Sequence, residues 1–480
     1  MPTTTAPETP LYESVASHIT RLIDGGTFRV GDKVPSVRSL STQLAVSVTT
    51  VLGAYRLLES RGFLQPRPQS GYFVRSRNPQ KLLPDTTCDL TRVKLPRTPS
   101  AISIRDLVVK LMEHTRDPNI IQLGPAIPNP RLLPTAKLNR TLARITRTFA
   151  DRVNAYGTAN DTHELRVQVA RRALVSGCTL TPDEVLVTSG GQEAIALCLH
   201  AFCKPGDTVA LESPCYYGFL QAMEAAGIKG LEIPAHPTDG LSLEALELAL
   251  RSHDIKAVLA IPNFNNPLGS CMPAPRKKAL VAMLAKRNIP LLEDDIYGDL
   301  HFGDVRPRPA KAFDKDGLVM LCASFSKTIA PGYRVGWVAP GRFRNRVEQL
   351  KFAQTIATAT LPQLAIAEFL DTGGYDHHLR RLRRSCAEQV RRMTEAISEH
   401  FPAGTRISRP SGGFVLWVEL PAGKSALDLH RRALEQGISI APGPIFSAKP
   451  RFSNFVRINC GNPWSETIDR AIRTLGHLLA

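Results

Sequence analysis

Six short apolar runs mark the middle of this chain: residues 185–187 (Val-Leu-Val), 209–211 (Val-Ala-Leu), 257–261 (Ala-Val-Leu-Ala-Ile), 290–292 (Pro-Leu-Leu), 318–321 (Leu-Val-Met-Leu) and 335–338 (Val-Gly-Trp-Val). Each is too short for a helix and shows little polar alternation, and stretches of helical periodicity separate them. Strands buried on both faces read this way, and such strands belong to a mostly parallel sheet covered by helices. The runs therefore imply a large α/β domain. Beyond roughly residue 370 the pattern changes to an Arg-rich helix over 377–392 and strand candidates at 413–420 and 454–459, which read as a smaller α+β unit.

Residues 11–76 follow another pattern. Tyr12, Val15, Ile19, Leu22 and Ile23 recur at helical spacing before Gly25-Gly26. A short helix with Val37, Leu40 and Leu44 follows Pro35-Ser36, and Ser47 stands at the N-cap of a third helix whose apolar stripe is Val51, Ala54, Tyr55 and Leu58. Strand-like pieces at 63–65 and 72–75 flank the turn sequence Pro66-Arg67-Pro68-Gln69-Ser70-Gly71. Helix, short helix, helix and hairpin make a winged helix-turn-helix. The segments LYESVASHI, GDKVPSVRSLSTQL, SVTTVLGAYRLLESRGFL and SGYFV resemble the DNA-binding domain of the GntR family. That resemblance implies a third helix in the major groove of duplex DNA and a wing at the minor groove, which singles out Arg38, Ser47, Thr49, Thr50 and Gly71. Val48 stands where the family usually carries arginine. Residues 77–100, with four prolines and no sustained periodicity, read as a linker.

Open α/β sheets bind ligands beyond the carboxyl ends of their strands, so the residues after each apolar run carry the chemistry. After the first comes TSGGQEAIAL, where Gly190-Gly191-Gln192 opens a helix and offers free N–H groups to a phosphate. ESPCYYG then places Tyr216 to stack on a flat ring, PNFNNPLG supplies Asn266, and EDDIYGD supplies Asp294 and Tyr297. ASFSKTIAPGYRVGW supplies Lys327 between hydroxyls, with Arg334 following. An amine nucleophile, a carboxylate, a phenol, an amide and a phosphate cradle are what a pyridoxal 5'-phosphate site needs.

These motifs resemble the fold-type-I aminotransferases over essentially all of residues 101–480. The resemblance implies that Lys327 is the Schiff-base lysine and catalytic base, and that Asp294 pairs with the pyridine nitrogen. It places Asn266 and Tyr297 on the phenolic oxygen, and Tyr216 on the ring. Gly191, Gln192, Ser324, Ser326 and Arg334 would hold the phosphate, joined by Tyr156 of NAYG from a second subunit. Arg457, in FVRINCG, would grip a substrate carboxylate. The stretch YGTANDTHELR lacks the glycine the family usually has between Tyr and Leu-Arg, and PLG replaces the commoner PTG.

A GntR-like winged helix over 11–76, a linker over 77–100 and an aminotransferase-like domain over 101–480 resemble the MocR subfamily of transcriptional regulators. In that subfamily the pyridoxal phosphate domain senses an amino compound and biases the DNA-binding domains. The implied state is a homodimer that presents two winged helices to a repeated or palindromic DNA operator. Two functions stay open: a regulator that senses an amine through Lys327, and a working aminotransferase with an appended DNA-binding domain.

Composition limits the remaining possibilities. The nine cysteines form no CxxC pair, which argues against a zinc site or disulfide framework. MPTTTAPETP lacks a signal-peptide pattern and no apolar run is long enough to span a bilayer, so a soluble cytoplasmic protein is expected. The formal charge of +17 divides into +3 on residues 1–76, +3 on the linker and +11 beyond it. The DNA reading therefore rests on the winged-helix pattern and not on bulk charge. The helix with Arg380, Arg381, Arg383, Arg384, Arg391 and Arg392 reads as a solvated or dimer-facing surface, or a second contact for DNA.

Overall fold

The computed structural model describes residues 11–24, 27–28, 31–60, 63–67, 70–74, 98–102, 108–109, 113, 117–157 and 162–480. The linker expected at 77–100 falls almost wholly outside them. The chain divides into two compact units, Met1–Leu82 and Leu83–Ala480.

In the first unit α1 (Leu11–Asp24), α2 (Val37–Leu44) and α3 (Val48–Ser60) precede a hairpin of β1 (Leu64–Arg67) and β2 (Gly71–Val74). Val15, Ala16 and Ile19 of α1 pack with Val51, Ala54, Tyr55 and Leu58 of α3, all buried. Full burial of a side chain such as Leu58 contributes about 1.5–3 kcal/mol. The Tyr55 hydroxyl donates to the Pro35 carbonyl at 2.6 Å, and its ring meets Tyr72 edge-on at 5.0 Å. The helices fall where the periodicity places them. The hairpin differs: Pro66 and Arg67, expected in the turn, pair with Tyr72 and Gly71 inside the ladder. Strand β2 also exchanges hydrogen bonds with residues 31–34, so β1 is the edge strand, where a missing proline N–H costs no ladder bond.

The second unit is built on an eight-stranded sheet. Its strands are β4 (Leu186–Thr188), β5 (Thr208–Ser213), β6 (Lys229–His236), β7 (Gly240–Leu241), β8 (Ile255–Ala260), β9 (Leu291–Asp294), β10 (Val319–Ser324) and β11 (Gly336–Ala339), in the order β4-β11-β10-β9-β8-β5-β6-β7. Pairings from β10 through β6 are parallel, while β11 runs antiparallel to both its neighbours and β7 antiparallel to β6. All six apolar runs lie in this sheet, with boundaries shifted by one to three residues. Strand β6 is new, because Glu232 and Pro234 break its apolar reading. Glu232 is buried and satisfied by the hydroxyls of Ser213 and Ser447 and the Ala448 amide.

A second sheet, β12 (Arg406–Ile407), β13 (Val415–Glu419), β15 (Ala441–Pro442) and β16 (Phe455–Asn459), is antiparallel in the order β12-β13-β16-β15 and forms the smaller subdomain. The long helix α6 (Gly374–His400) buries Leu379, Leu382, Cys386, Val390, Met393 and Ile397 at helical spacing. The segment at β3 (Ile121–Gln122) joins this subdomain by pairing with β14 (Ile438–Ser439). Arg383 of α6 departs from the expected solvated face: its Nε donates to the Asp299 carbonyl at 2.6 Å. Arg391 and Arg392 are paired with Glu388, and Arg391 also with Glu395, while Arg380, Arg381 and Arg384 are exposed.

No helix among the described residues is long and apolar enough to cross a membrane. Eight cysteines are free and Cys88 lies outside the described residues. No group of three metal-type ligands occurs among the described residues.

Candidate functional site

The carboxyl ends of β4, β5, β8, β9 and β10 open onto one cavity of about 290 Å³. Gly191, Gln192, Tyr216, Asn266, Asp294, Tyr297, Ser324, Ser326, Lys327 and Arg334 all line it. These ten residues come from separate motifs spread over more than 140 positions of the chain. Tyr156 and Arg457 are not on this wall.

One end is a cradle. Helix α4 (Gly191–Phe202) begins there, preceded by Gly190 at φ 86°. A Cβ on Gly190 would press against the Arg334 guanidinium, and the positive φ itself favours glycine. The Arg334 Nη2 donates to the Ser189 carbonyl at 3.2 Å, and Ser324 Oγ donates to Ser326 Oγ at 2.8 Å. Free helix-terminal N–H groups, two hydroxyls and a guanidinium around an open space suit a phosphate dianion. Gln192 is held by its side-chain amide donating to the Gly218 carbonyl at 2.7 Å.

The middle holds a buried acid and a buried amine. Burial pushes the Asp294 carboxyl up to about 7, and Asp295 adds to this, while the Ile296 N–H and Lys327 pull it back. Burial, then the nearby Arg457 guanidinium, brings the Lys327 ammonium down to about 8, with Asp294 opposing. Lys327 Nζ donates to the Ala126 carbonyl at 2.7 Å. A lysine that gives up its proton more readily than an exposed one is a better nucleophile. Tyr216 caps helix α5 (Tyr217–Ala225) and packs edge-on with Phe219 at 5.5 Å. Burial raises both the Tyr216 and Tyr297 phenols, so each is a neutral donor.

Arg457, on β16, is fully buried behind Asn266. Its Nη1 donates to Asn266 Oδ1 at 2.9 Å and its Nη2 to the Gly124 carbonyl at 2.5 Å, while Nε has no partner among the described residues. The guanidinium lies over the rings of Phe446 at 5.0 Å and Tyr217 at 5.9 Å and pairs with no carboxylate among the described residues. A buried cation without a counter-ion is costly and marks a place for an anion.

Sequence reasoning passed over the segment Pro125-Ala126-Ile127 and Ile296, which also line the cavity. Ile296 could have been found as the apolar residue two positions after Asp294. Residues 125–127 follow no apolar run that ends in a polar motif. Tyr156 is 91% exposed at the end of a short helix. In the first unit Arg38, Ser47, Thr49 and Gly71 are exposed and Thr50 is half-buried. Ser47 Oγ accepts from the Thr50 N–H at 3.0 Å, a cap that contributes about 0.5–2 kcal/mol to α3. Val48 is 49% exposed in the first turn of that helix.

Residues 133–475 match the family of class I and II aminotransferases. The chain belongs to that family. Residues 11–74 match the gntR family of bacterial regulatory proteins, so the N-terminal unit is a DNA-binding domain of that type. The HTH-type transcriptional regulator YjiR of Escherichia coli (strain K12) is 41% identical over 465 residues, covering 97% of this chain and 98% of the relative. YdcR of the same organism, likewise an HTH-type transcriptional regulator, is 38% identical over 98% of both chains. The crystal structure of LysN, an alpha-aminoadipate aminotransferase from Thermus thermophilus complexed with N-(5'-phosphopyridoxyl)-L-leucine, is 31% identical with a TM-score of 0.71, over 79% of this chain and 98% of that one. A gntR domain in front of a class I and II aminotransferase domain is the MocR architecture.

The cofactor of this family is pyridoxal 5'-phosphate, and the residues present fit it. The helix-terminal N–H groups, the Ser324 and Ser326 hydroxyls and the Arg334 guanidinium make a cradle suited to its phosphate. The buried Asp294 carboxyl makes no salt bridge among the described residues and suits a pyridinium, and Lys327 is held at a pKa suited to covalent attachment.

Proposed function

We propose that the protein is a pyridoxal-phosphate-dependent transcriptional regulator that works as a cytoplasmic homodimer and senses an amino compound through Lys327. The observation that carries this reading is one chain with a winged-helix DNA-binding unit and a cavity where all ten cofactor-binding candidates other than Tyr156 converge. Relatives named as HTH-type regulators that align over nearly the full length support it.

Bound pyridoxal phosphate supplies an electron sink that acidifies the α-carbon of an attached amine. Lys327 Nζ is the attachment point and the group that carries a proton to and from that carbon. Asp294 holds a proton at the pyridine nitrogen, while Asn266 and Tyr297 donate to the phenolic oxygen. Tyr216 stacks on the ring. Arg334, Ser324, Ser326, Gly191 and Gln192 hold the phosphate, and the exposed Tyr156 reaches the same group in the partner subunit. Arg457 receives the carboxylate of the amine. In the winged helix, Arg38, Thr49, Thr50 and Gly71 approach the operator, with Ser47 fixing the start of the recognition helix.

The test is to mix purified holoprotein with amino acids and amines while recording the cofactor spectrum and the affinity for DNA upstream of its own or a neighbouring gene. A spectral change that alters DNA affinity supports the sensor. Keto-acid production with unchanged DNA affinity would instead identify an aminotransferase.

A further inference from the structure

The charged groups around the cavity are few, and the cofactor uses most of them. Asp294, Lys327 and Arg334 face the ring nitrogen, the attachment carbon and the phosphate in the reading above. That leaves Arg457, whose Nε has no partner and which pairs with no carboxylate among the described residues. One cation without a counter-ion suits one carboxylate.

Among the described residues the remaining wall carries no charge. Beside Lys327 it is formed by Pro125, Ala126, Ile127, Tyr217 and Ile296, and no further Asp, Glu, His, Lys or Arg lines the cavity among the described residues. The segment 123–129 is fixed to the smaller subdomain: Leu123 N–H donates to the Ser439 carbonyl at 2.9 Å and Asn459 Nδ2 to the Ile127 carbonyl at 3.1 Å. Ile127 is 44% exposed, at the rim of the cavity. A second cavity of about 500 Å³ shares Gln192, Tyr216 and Tyr217 with this wall and is otherwise lined by Val108, Val109 and Gln221, with Glu113 its one acidic residue among those described. A second carboxylate or an ammonium pressed against Pro125-Ala126-Ile127 would lose its water and gain no partner.

We propose that the effector is an α-amino acid with a single carboxylate and an apolar side chain, the carboxylate on Arg457 and the side chain against Pro125, Ala126 and Ile127. This rests on the sensor reading and narrows its ligand. A hydrophobic wall separates chain lengths only weakly but rejects charge strongly, so selection falls on charge class more than on one amino acid.

The experiment titrates the holoprotein with leucine, phenylalanine, glutamate, lysine and isopentylamine, reading the cofactor absorbance and the operator affinity in parallel. Leucine and phenylalanine are expected to half-saturate at concentrations about tenfold or more below glutamate, lysine and the carboxylate-free isopentylamine. The variant Ile127→Arg is expected to move the preference towards glutamate by about tenfold. Glutamate acting as well as leucine on the wild-type protein would overturn the proposal while leaving the sensor intact. A preference for lysine would also overturn it and transfer side-chain recognition to Glu113. An unchanged order of ligands in Ile127→Arg would remove the 125–127 wall from the site. If no compound changes either readout, the sensor reading fails with it.

Discussion

Arg457 and Asn266, 191 residues apart, meet in a hydrogen bond of 2.9 Å from Nη1 to Oδ1. The bond joins a strand of the smaller subdomain to the loop that closes the cofactor cavity. The same guanidinium donates to the Gly124 carbonyl, and two residues on Ala126 accepts from Lys327. Arg457 and Lys327 therefore hold one short segment between them.

Replacing Arg457 by Ala is expected to raise the amine concentration for half-saturation about tenfold or more, because charge-assisted hydrogen bonds contribute about 1.5–3 kcal/mol. Cofactor content should be unchanged. A titration at the cofactor band measures both, and Arg457→Lys should restore little, since a point charge does not reproduce the two-pronged grip.

Asp294 gives the cofactor-free protein a pH dependence. Its carboxyl rises from 3.8 to about 7 on folding, so its contribution to stability is present below the unfolded value and is lost as pH rises towards 7. Glu212 and Glu293 are buried and raised to about 7 as well and act in the same direction. Asp294→Asn should therefore flatten part of the fall in melting temperature between about pH 4 and 7. Parallel curves for the two proteins would remove this role.

Tyr375 donates to Asp299 Oδ2 at 2.9 Å and its oxygen accepts from Thr328 Oγ1 at 3.1 Å, and His378 bonds the Thr328 carbonyl at 2.7 Å. Helix α6 thus clamps the residue next to Lys327. Tyr375→Phe removes a buried donor and is expected to cost about 1–3 kcal/mol in denaturant unfolding. It should also shift the pH at which the cofactor spectrum titrates, a change that stability loss alone would not produce.

Thr49 is exposed near the start of α3 and its hydroxyl sits 2.7 Å from Ser47 Oγ. Thr49→Ala should weaken operator binding with helix content retained, whereas Ser47→Ala should also lower stability by about 1 kcal/mol through the lost cap. Mobility shift and thermal melts on the same preparations separate the two.

Most of the candidate site is legible in the sequence because its residues stand at or just after the ends of apolar strands, with strand, turn and polar residue adjacent along the chain. Asp294 and Lys327 need no tertiary knowledge. What escapes depends on distant partners. Strand β6 hides because its buried Glu232 is satisfied by Ser447, 215 residues away. Arg383 reads as solvated by composition and turns inward to a carbonyl on another element. Residues 125–127 reach the cavity only because β3 pairs with β14, a register that no local pattern announces. Pro66 reads as a turn residue because only the sheet order shows which strand is the edge.

In the proposed regulator, ligand chemistry at Lys327 controls DNA binding. This control is tested most directly by measuring operator affinity of the wild-type protein and of Lys327→Ala with and without an amino acid that changes the wild-type cofactor spectrum. The expected result is a ligand-dependent change in affinity for the wild type and none for Lys327→Ala, which should also lack the absorbance of the lysine-bound cofactor. An equal response to the amino acid in both proteins would contradict the account.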